Sequence, residues 1–233
     1  KHVFSTALLW ILLPIVIHIF LSIPLSQMIS MEIRYFNWSA GGIWITSAGI
    51  LAFLQSAIRM RKIQYESKEI EALLKSPISN LDILFVNIGR GMIYGFGQFI
   101  FAILITSALN NEYLSLENHL FIFLQMVTLI LHFSVLGTLV GMLVSNNMLF
   151  NNLSFFLFLA ITMGFGNFIP IHYYPSSFTN VIHSIPTTSA FENVRSVILH
   201  NPFDWGGFFL TLLGTFLIGI ITLILSHKIF RKI

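Results

Sequence analysis

The chain has 233 residues, of which 56% are hydrophobic and only 9% are charged. Because soluble domains carry about 25% charged residues, this chain has too few charges to cover a surface that faces water. The same composition excludes a disordered chain, since disordered segments are polar and rich in charge. A mean hydropathy of +0.84 and 24 phenylalanines therefore predict a helical protein that crosses a membrane several times.

Six apolar segments predict six spans, because each is long enough to cross a bilayer at about 1.5 Å per residue. Pro14 is expected to kink the first span. Gly91 and Gly95 in the third span predict close helix packing, with a flexible gating segment as the alternative. The predicted fold class is an all-α polytopic membrane protein with six transmembrane helices in a single domain, residues 1–233, with spans at 4–25, 41–58, 81–109, 120–144, 149–169 and 205–225.

The basic residues predict the orientation of the spans. All lysines and arginines except Arg34 and Arg195 fall on one side of the predicted membrane, mostly in the 59–80 connection and after the last span. The positive-inside rule then predicts that both termini and this connection are cytoplasmic. The usage of Asn, Ile, Lys and Phe favours a low-GC bacterium, so the predicted location is the cytoplasmic (inner or plasma) membrane of a bacterium.

The longest external connection, residues 170–204, is interrupted by prolines. Its apolar pieces at 178–185 and 190–199 are too short to span, so they predict two short helices that lie in the interface or re-enter the bilayer. Glu192 and Arg195 are three residues apart in the second piece and are predicted to pair on one helix face.

The sequence offers no catalytic constellation. Cysteine is absent, which excludes disulfides, thiolate metal sites and thiol nucleophiles. The eight histidines show no tight ligand spacing, so no metal site is predicted. His18 and His132 lie inside predicted spans, where a neutral histidine bonded to a neighbouring helix is favoured over a functional group. Arg90, near the start of the third span, is predicted to snorkel to the interface rather than contact a substrate.

The predicted cytoplasmic segment 65–80 has the pattern of a short amphipathic helix. Ile70, Leu73 and Leu74 fall on one face at helical spacing, and Pro77 ends the helix. Such a helix either lies on the inner membrane surface or forms a docking surface for a soluble partner.

This segment resembles the ABC-2 family of transporter permeases, which carry a glutamate-rich stretch ending in Ser-Pro between their second and third spans. Lys68 stands where the family has a glycine. Pro186 and Arg195 also fit the spacing of an external proline and arginine that the family has before its sixth span. The positions that match the cytoplasmic stretch are Glu66, Glu71, Leu74, Ser76, Pro77 and Ser79.

The resemblance implies a permease subunit of an ATP-driven exporter rather than an enzyme. Such permeases work as dimers with a second permease copy or a paralogue, and two copies of a cytoplasmic ATP-binding subunit supply ATP and Mg. The chain has no G-x-x-x-x-G-K-[ST] loop of its own, and no cofactor or nucleic-acid partner is expected. By the same likeness, spans two and five line a pathway between the copies. The implied coupling residues are Glu66, Glu69, Glu71, Leu74, Ser76 and Pro77, and the implied external segment contains Pro186, Glu192 and Arg195.

Several alternatives stay open at this level. The aromatic side chains Phe96, Phe99, Phe155 and Phe158 are either lipid-facing filler or the lining of an apolar pathway. The transported substrate is a drug, a peptide, a lipid or a glycan, and the sequence does not choose among them. The rival functions are a haem-export or cytochrome-assembly permease, an ion-gradient-driven carrier and a membrane enzyme. The last two usually need buried charged groups, which these spans almost lack.

Overall fold

The computed structural model describes residues 2–29, 35–65, 79–110 and 116–230. The described part of the chain is helical and contains no β-strand. Six of its helices are long and apolar enough to cross a membrane, which supports the predicted multi-pass membrane protein. The helices are α1 (His2–Ile17), α2 (Ile23–Met28), α3 (Tyr35–Tyr65), α4 (Asn80–Asn110), α5 (Leu116–Leu143), α6 (Asn147–Leu159), α7 (Ser176–His183), α8 (Pro186–Ile198) and α9 (Trp205–Phe230).

Two π-helical segments extend the α-helices that they follow. His18–Ser22 joins α1 to α2, and Ala160–Gly164 continues α6. Pro14 lies inside α1 and has no N–H to donate to the carbonyl four residues earlier. That carbonyl, on Trp10, instead accepts a hydrogen bond of 3.1 Å from Gln98 Nε2 of α4. A side chain of a neighbouring helix thus replaces the backbone bond that the proline removes.

The helix bounds differ from most of the predicted spans by a few residues; α9, for example, continues to Phe230 rather than ending at 225. Two of the differences have a clear physical cause. α3 extends beyond both ends of the predicted 41–58 span, because no glycine or proline interrupts the polar residues that flank it. The fifth span ends at Gly164, whereas the prediction carried it to 169, because residues 165–169 form a bend.

α3 is the central helix of the bundle. In its most apolar stretch 83% of the residues are buried inside the chain, against 17% in the first and fifth spans. This burial leaves only a small part of α3 to face a second copy, and its place in a pathway between two copies stays a prediction. The fifth span keeps its outward face, where Phe155 and Phe156 are 63% and 70% exposed.

Small residues let α4 approach α3 closely. A Cβ added at Gly95 would lie 2.7 Å from Ile130 Cγ2 and 2.9 Å from Ala52 Cβ, and one added at Gly91 would collide with Ser56. This confirms the predicted close packing. Asn87 Nδ2 also joins three helices, donating to Ser56 O at 3.0 Å and to Thr138 Oγ1 at 2.9 Å.

The helices alternate in direction, so their connections gather at two ends. We call the outer end the one that holds Tyr35, Asn118 and Trp205, and the inner end the one that holds Tyr65 and Leu143, following the predicted orientation. At the outer end, Asn118 Nδ2 of α5 donates to Val197 O of α8 at 3.3 Å. At the inner end, Tyr65 donates to Met142 O at 2.8 Å.

Candidate functional site

The candidate site is the outer end, where the chain leaves α6, turns back and forms α7 and α8 before α9. The turn depends on Gly166, whose φ of +73° lies in the left-handed region. A Cβ there would also lie 2.5 Å from Ile171 Cγ1. Glycine is therefore required both by the backbone conformation and by the space.

Arg195 of α8 holds this turn from inside the protein. Its Nη2 donates to Gly166 O at 2.8 Å and to Asn167 O at 2.9 Å. The guanidinium also lies 3.7 Å from the ring centre of Trp38 on α3, a cation–π contact. Its side chain is only 9% exposed, and its Nε has no hydrogen-bond partner among the described residues.

The charge on Arg195 is stabilised without a direct ion pair. Burial lowers its pKa to about 10, against the opposing effects of Glu192 and Tyr35, so the group stays protonated at neutral pH. The predicted pairing of Glu192 with Arg195 is wrong, because Glu192 Oε2 instead lies 3.7 Å from His183 Nδ1 of α7. The Arg195 side chain is buried against Trp38 of α3. The more exposed Glu192 faces α7 instead.

The turn is also tied to the central helix. Asn167 Nδ2 donates to Gly42 O at 3.2 Å and to Thr46 Oγ1 at 2.7 Å, both on α3. The Tyr35 hydroxyl donates to Phe168 O at 2.6 Å. These bonds satisfy polar groups that would be costly to leave unpaired in a buried position, and they fix the turn against the outer half of α3.

The other side of α8 is tied to α5 and α9. Asn193 Nδ2 donates to Gln125 Oε1 and to Asp204 O, both at 2.9 Å. The Asp204 carboxylate in turn accepts from the amides of Gly206 and Gly207 at 2.9 and 3.0 Å, which caps the start of α9. α8 is therefore bonded on one side to the turn after α6 and on the other to the last span.

An open cleft of about 430 Å³ lies between these elements on the outer end. Trp38 and Arg195 line it, together with His183 and Glu192 on its exposed side. The cleft combines an aromatic wall, a buried cation and exposed titratable groups, so it suits a polar or amphipathic ligand rather than a purely apolar one.

The inner end holds the residues from which the predicted coupling segment departs. Arg61 of α3 donates through Nε to Val144 O and through Nη2 to Ser145 O, both at 2.9 Å, and it also donates to Asn147. It lies 4.4 Å from the ring centre of Phe150. The inner end of α3 is thus clamped to the turn between α5 and α6.

The structure places the predicted site residues in several separate regions. The coupling residues Glu66, Glu69, Glu71, Leu74, Ser76 and Pro77 lie outside the described residues. Pro186 occupies the first turn of α8, and its carbonyl accepts from Thr211 at 2.9 Å. The short helices are those that the sequence predicted, although α8 begins at Pro186 rather than near 190.

The predicted aromatic set does not line one surface. Phe99 is buried against Trp44, and Phe96 packs 5.8 Å from Phe123, as measured between ring centres. Phe155 points outward, whereas Phe158 packs partly against the core.

His18 and His132, which lie in predicted spans, each contact an uncharged side chain of another helix. His132 Nδ1 lies 3.0 Å from Thr215 Oγ1 of α9, as favoured from the sequence. His18 packs 5.4 Å from Phe36, as measured between ring centres.

Sequence reasoning missed three residues of the site. Asn167, Asn193 and Gln125 are almost fully buried, and their side chains join α3, α5, α8 and the turn after α6 by hydrogen bonds. Their signal was present, since an amide side chain within or beside an apolar segment usually has a specific partner. The identity of that partner depends on the turn after α6, which hydropathy does not reveal.

Comparison with models of known protein families gave no match, and comparison with curated proteins gave none.

Proposed function

We propose that this chain is the membrane-embedded permease subunit of an ATP-driven exporter of the ABC-2 type. The observation that carries the proposal is the pair of short helices α7 and α8, held by Arg195 directly before the last long helix. The proline and arginine that prompted the resemblance thus occupy one element at the outer end. A second support is the position of segment 66–78, which connects α3 and α4 at the inner end.

The central helix provides a route by which ATP-driven movement reaches the outer end. A push on segment 66–78 acts first on the end of α3, which Arg61 and Tyr65 clamp to the α5 to α6 region. The other end of α3 carries Tyr35 and Trp38, which contact the turn after α6 and Arg195. A rigid helix bonded at both ends transmits displacement better than a loop would, and rocking of packed helices is a common switching motion.

The partners in this proposal are two copies of a cytoplasmic ATP-binding subunit and a second permease copy or paralogue. The exposed face of α6, with Phe155 and Phe156, is available to line a pathway between the two permease copies. ATP and Mg would bind to the partner subunit.

Co-purification tests the proposal directly. The tagged chain is expressed with its genomic neighbours, solubilised in mild detergent and analysed for a co-eluting ATP-binding subunit and for ATPase activity. We expect Glu71→Lys and Pro77→Ala to release that subunit or to uncouple its ATPase from transport. Glu117→Lys, a matched charge reversal at the predicted outer end, is expected to leave the complex intact. Elution of the chain without any ATPase would refute the proposal.

A further inference from the structure

Arg90 lies on an outward-facing, apolar part of α4. It is ten residues beyond Asn80, which at 1.5 Å per residue places it about 15 Å along the helix. Val86 and Ile93, one turn away on either side, are 73% and 71% exposed. With the predicted orientation, a charge at this depth among exposed apolar side chains would lie in the inner leaflet, where it costs energy unless it is solvated or paired.

The side chains that contact Arg90 in the described part of the chain carry no charge. Its Nη2 donates to Gln55 Oε1 at 3.3 Å, and its guanidinium lies 5.4 Å from the ring centre of Tyr94. Both groups are neutral. In the described part of the chain the nearest carboxylate in the same cleft, Asp82, accepts from the Ser79 amide and hydroxyl at 3.0 and 2.7 Å, so it caps α4.

Arg90 shares a cleft of about 410 Å³ with Arg59 of α3. Its walls are largely apolar, formed in part by Ile83 and Val86, and Asp82 also lines it. Two arginines on facing helices at the edge of a hydrophobic surface make a site for a phosphate whose attached chains are themselves apolar.

We propose that this cleft binds the headgroup phosphate of an anionic phospholipid from the inner leaflet. Arg59 and Arg90 contact the phosphate, while the acyl chains lie along the exposed face of α4 that carries Val86 and Ile93. A zwitterionic lipid is disfavoured, because its own cation would enter a cleft whose two arginines outnumber its one carboxylate, Asp82, which already accepts two hydrogen bonds from Ser79. The proposal concerns this chain alone and does not depend on an ATP-binding partner.

Native mass spectrometry of the purified chain in mild detergent tests the site. The protein is titrated with phosphatidylglycerol and, in parallel, with phosphatidylcholine. We expect phosphatidylglycerol to bind more tightly, and the double variant Arg59→Gln/Arg90→Gln to lose roughly thirtyfold in affinity for it, as for two basic groups near an anionic headgroup. Lys228→Gln removes one exposed positive charge from α9 at the same end and is expected to bind like the unmodified protein.

Two further binding measurements test the proposal. The variant Arg59→Lys/Arg90→Lys keeps both positive charges and is expected to retain most of the preference for phosphatidylglycerol. Comparing it with the glutamine variant distinguishes the effect of lost charge from the effect of misfolding. Inorganic phosphate in excess is expected not to displace the lipid. Equal binding of the two lipids, an equal loss in Lys228→Gln, unchanged binding in the double glutamine variant, or displacement by phosphate alone would overturn the lipid site.

Discussion

Replacing Arg195 by alanine removes the group that holds the outer end together. The two carbonyls that Nη2 reaches at 2.8 and 2.9 Å would be left buried without their donor. Each unpaired buried group costs about 1–3 kcal/mol, and the desolvated cation–π contact with Trp38 adds about 2 kcal/mol. Allowing for partial relaxation, we expect Arg195→Ala to lower the free energy of unfolding by about 3–5 kcal/mol.

Thermal unfolding of the detergent-solubilised chain, followed by tryptophan fluorescence, measures this loss. At about 2–4 °C per kcal/mol for a chain of this size, the Tm of Arg195→Ala should fall by roughly 10 °C. Arg195→Lys keeps the charge, but its strongly hydrated ammonium stacks less well on Trp38 than the planar guanidinium does. The Tm of Arg195→Lys should therefore lie between those of Arg195→Ala and the unmodified protein. Lys228→Ala, an exposed cation on α9, serves as the control. A Tm for Arg195→Ala within about 1 °C of the unmodified protein, well under 1 kcal/mol, would refute the reasoning.

Two further predictions concern the helix contacts. Gly95→Ala should destabilise the bundle by about 1–3 kcal/mol, because its methyl would collide with neighbours in α3 and α5; Gly219→Ala, which meets nothing within 4 Å, should be neutral or slightly stabilising in the same melting assay. Gln98→Leu should cost about 1–3 kcal/mol, because it leaves the Trp10 carbonyl without its donor. The added change Pro14→Ala should recover much of this loss by restoring a backbone N–H, and absence of such rescue in the double variant would contradict the assigned role of Gln98.

The apolar segments could be located from sequence because every backbone polar group in a bilayer must be satisfied within a helix. Hydropathy therefore reports where helices cross but not where they end. α3 continues through the basic residues before Tyr65 because charged side chains are compatible with a helix once it has left the hydrocarbon. The turn after α6 was not predicted, because residues Phe165 to Ile169 are mostly apolar, as in a span, and yet do not continue the helix.

The partners of the site residues could not be predicted in the same way. The rule that residues three apart pair on a helix suggested Glu192 and Arg195, yet it applies to exposed helix faces. Arg195 is buried and reaches carbonyls almost thirty positions earlier in the chain, and carbonyl positions depend on the backbone path rather than on residue type. Pro186 and Arg195 therefore lie in one element, α8, while the partners of Arg195 depend on the backbone path.

The two clamps on α3 have a consequence for energetics. Its outer end is bonded to the turn after α6 through Tyr35 and Asn167, and its inner end to the turn before α6 through Arg61. The inner clamp therefore holds the start of α6, and the outer clamp holds the end of its π-helical continuation. Thermodynamic linkage is reciprocal: if a molecule in the outer cleft changes the affinity for a protein at the inner connection, that protein changes the affinity for the molecule by the same factor. The shared span α6 and the shared helix α3 provide a physical connection for such coupling without a direct contact between the two ligands.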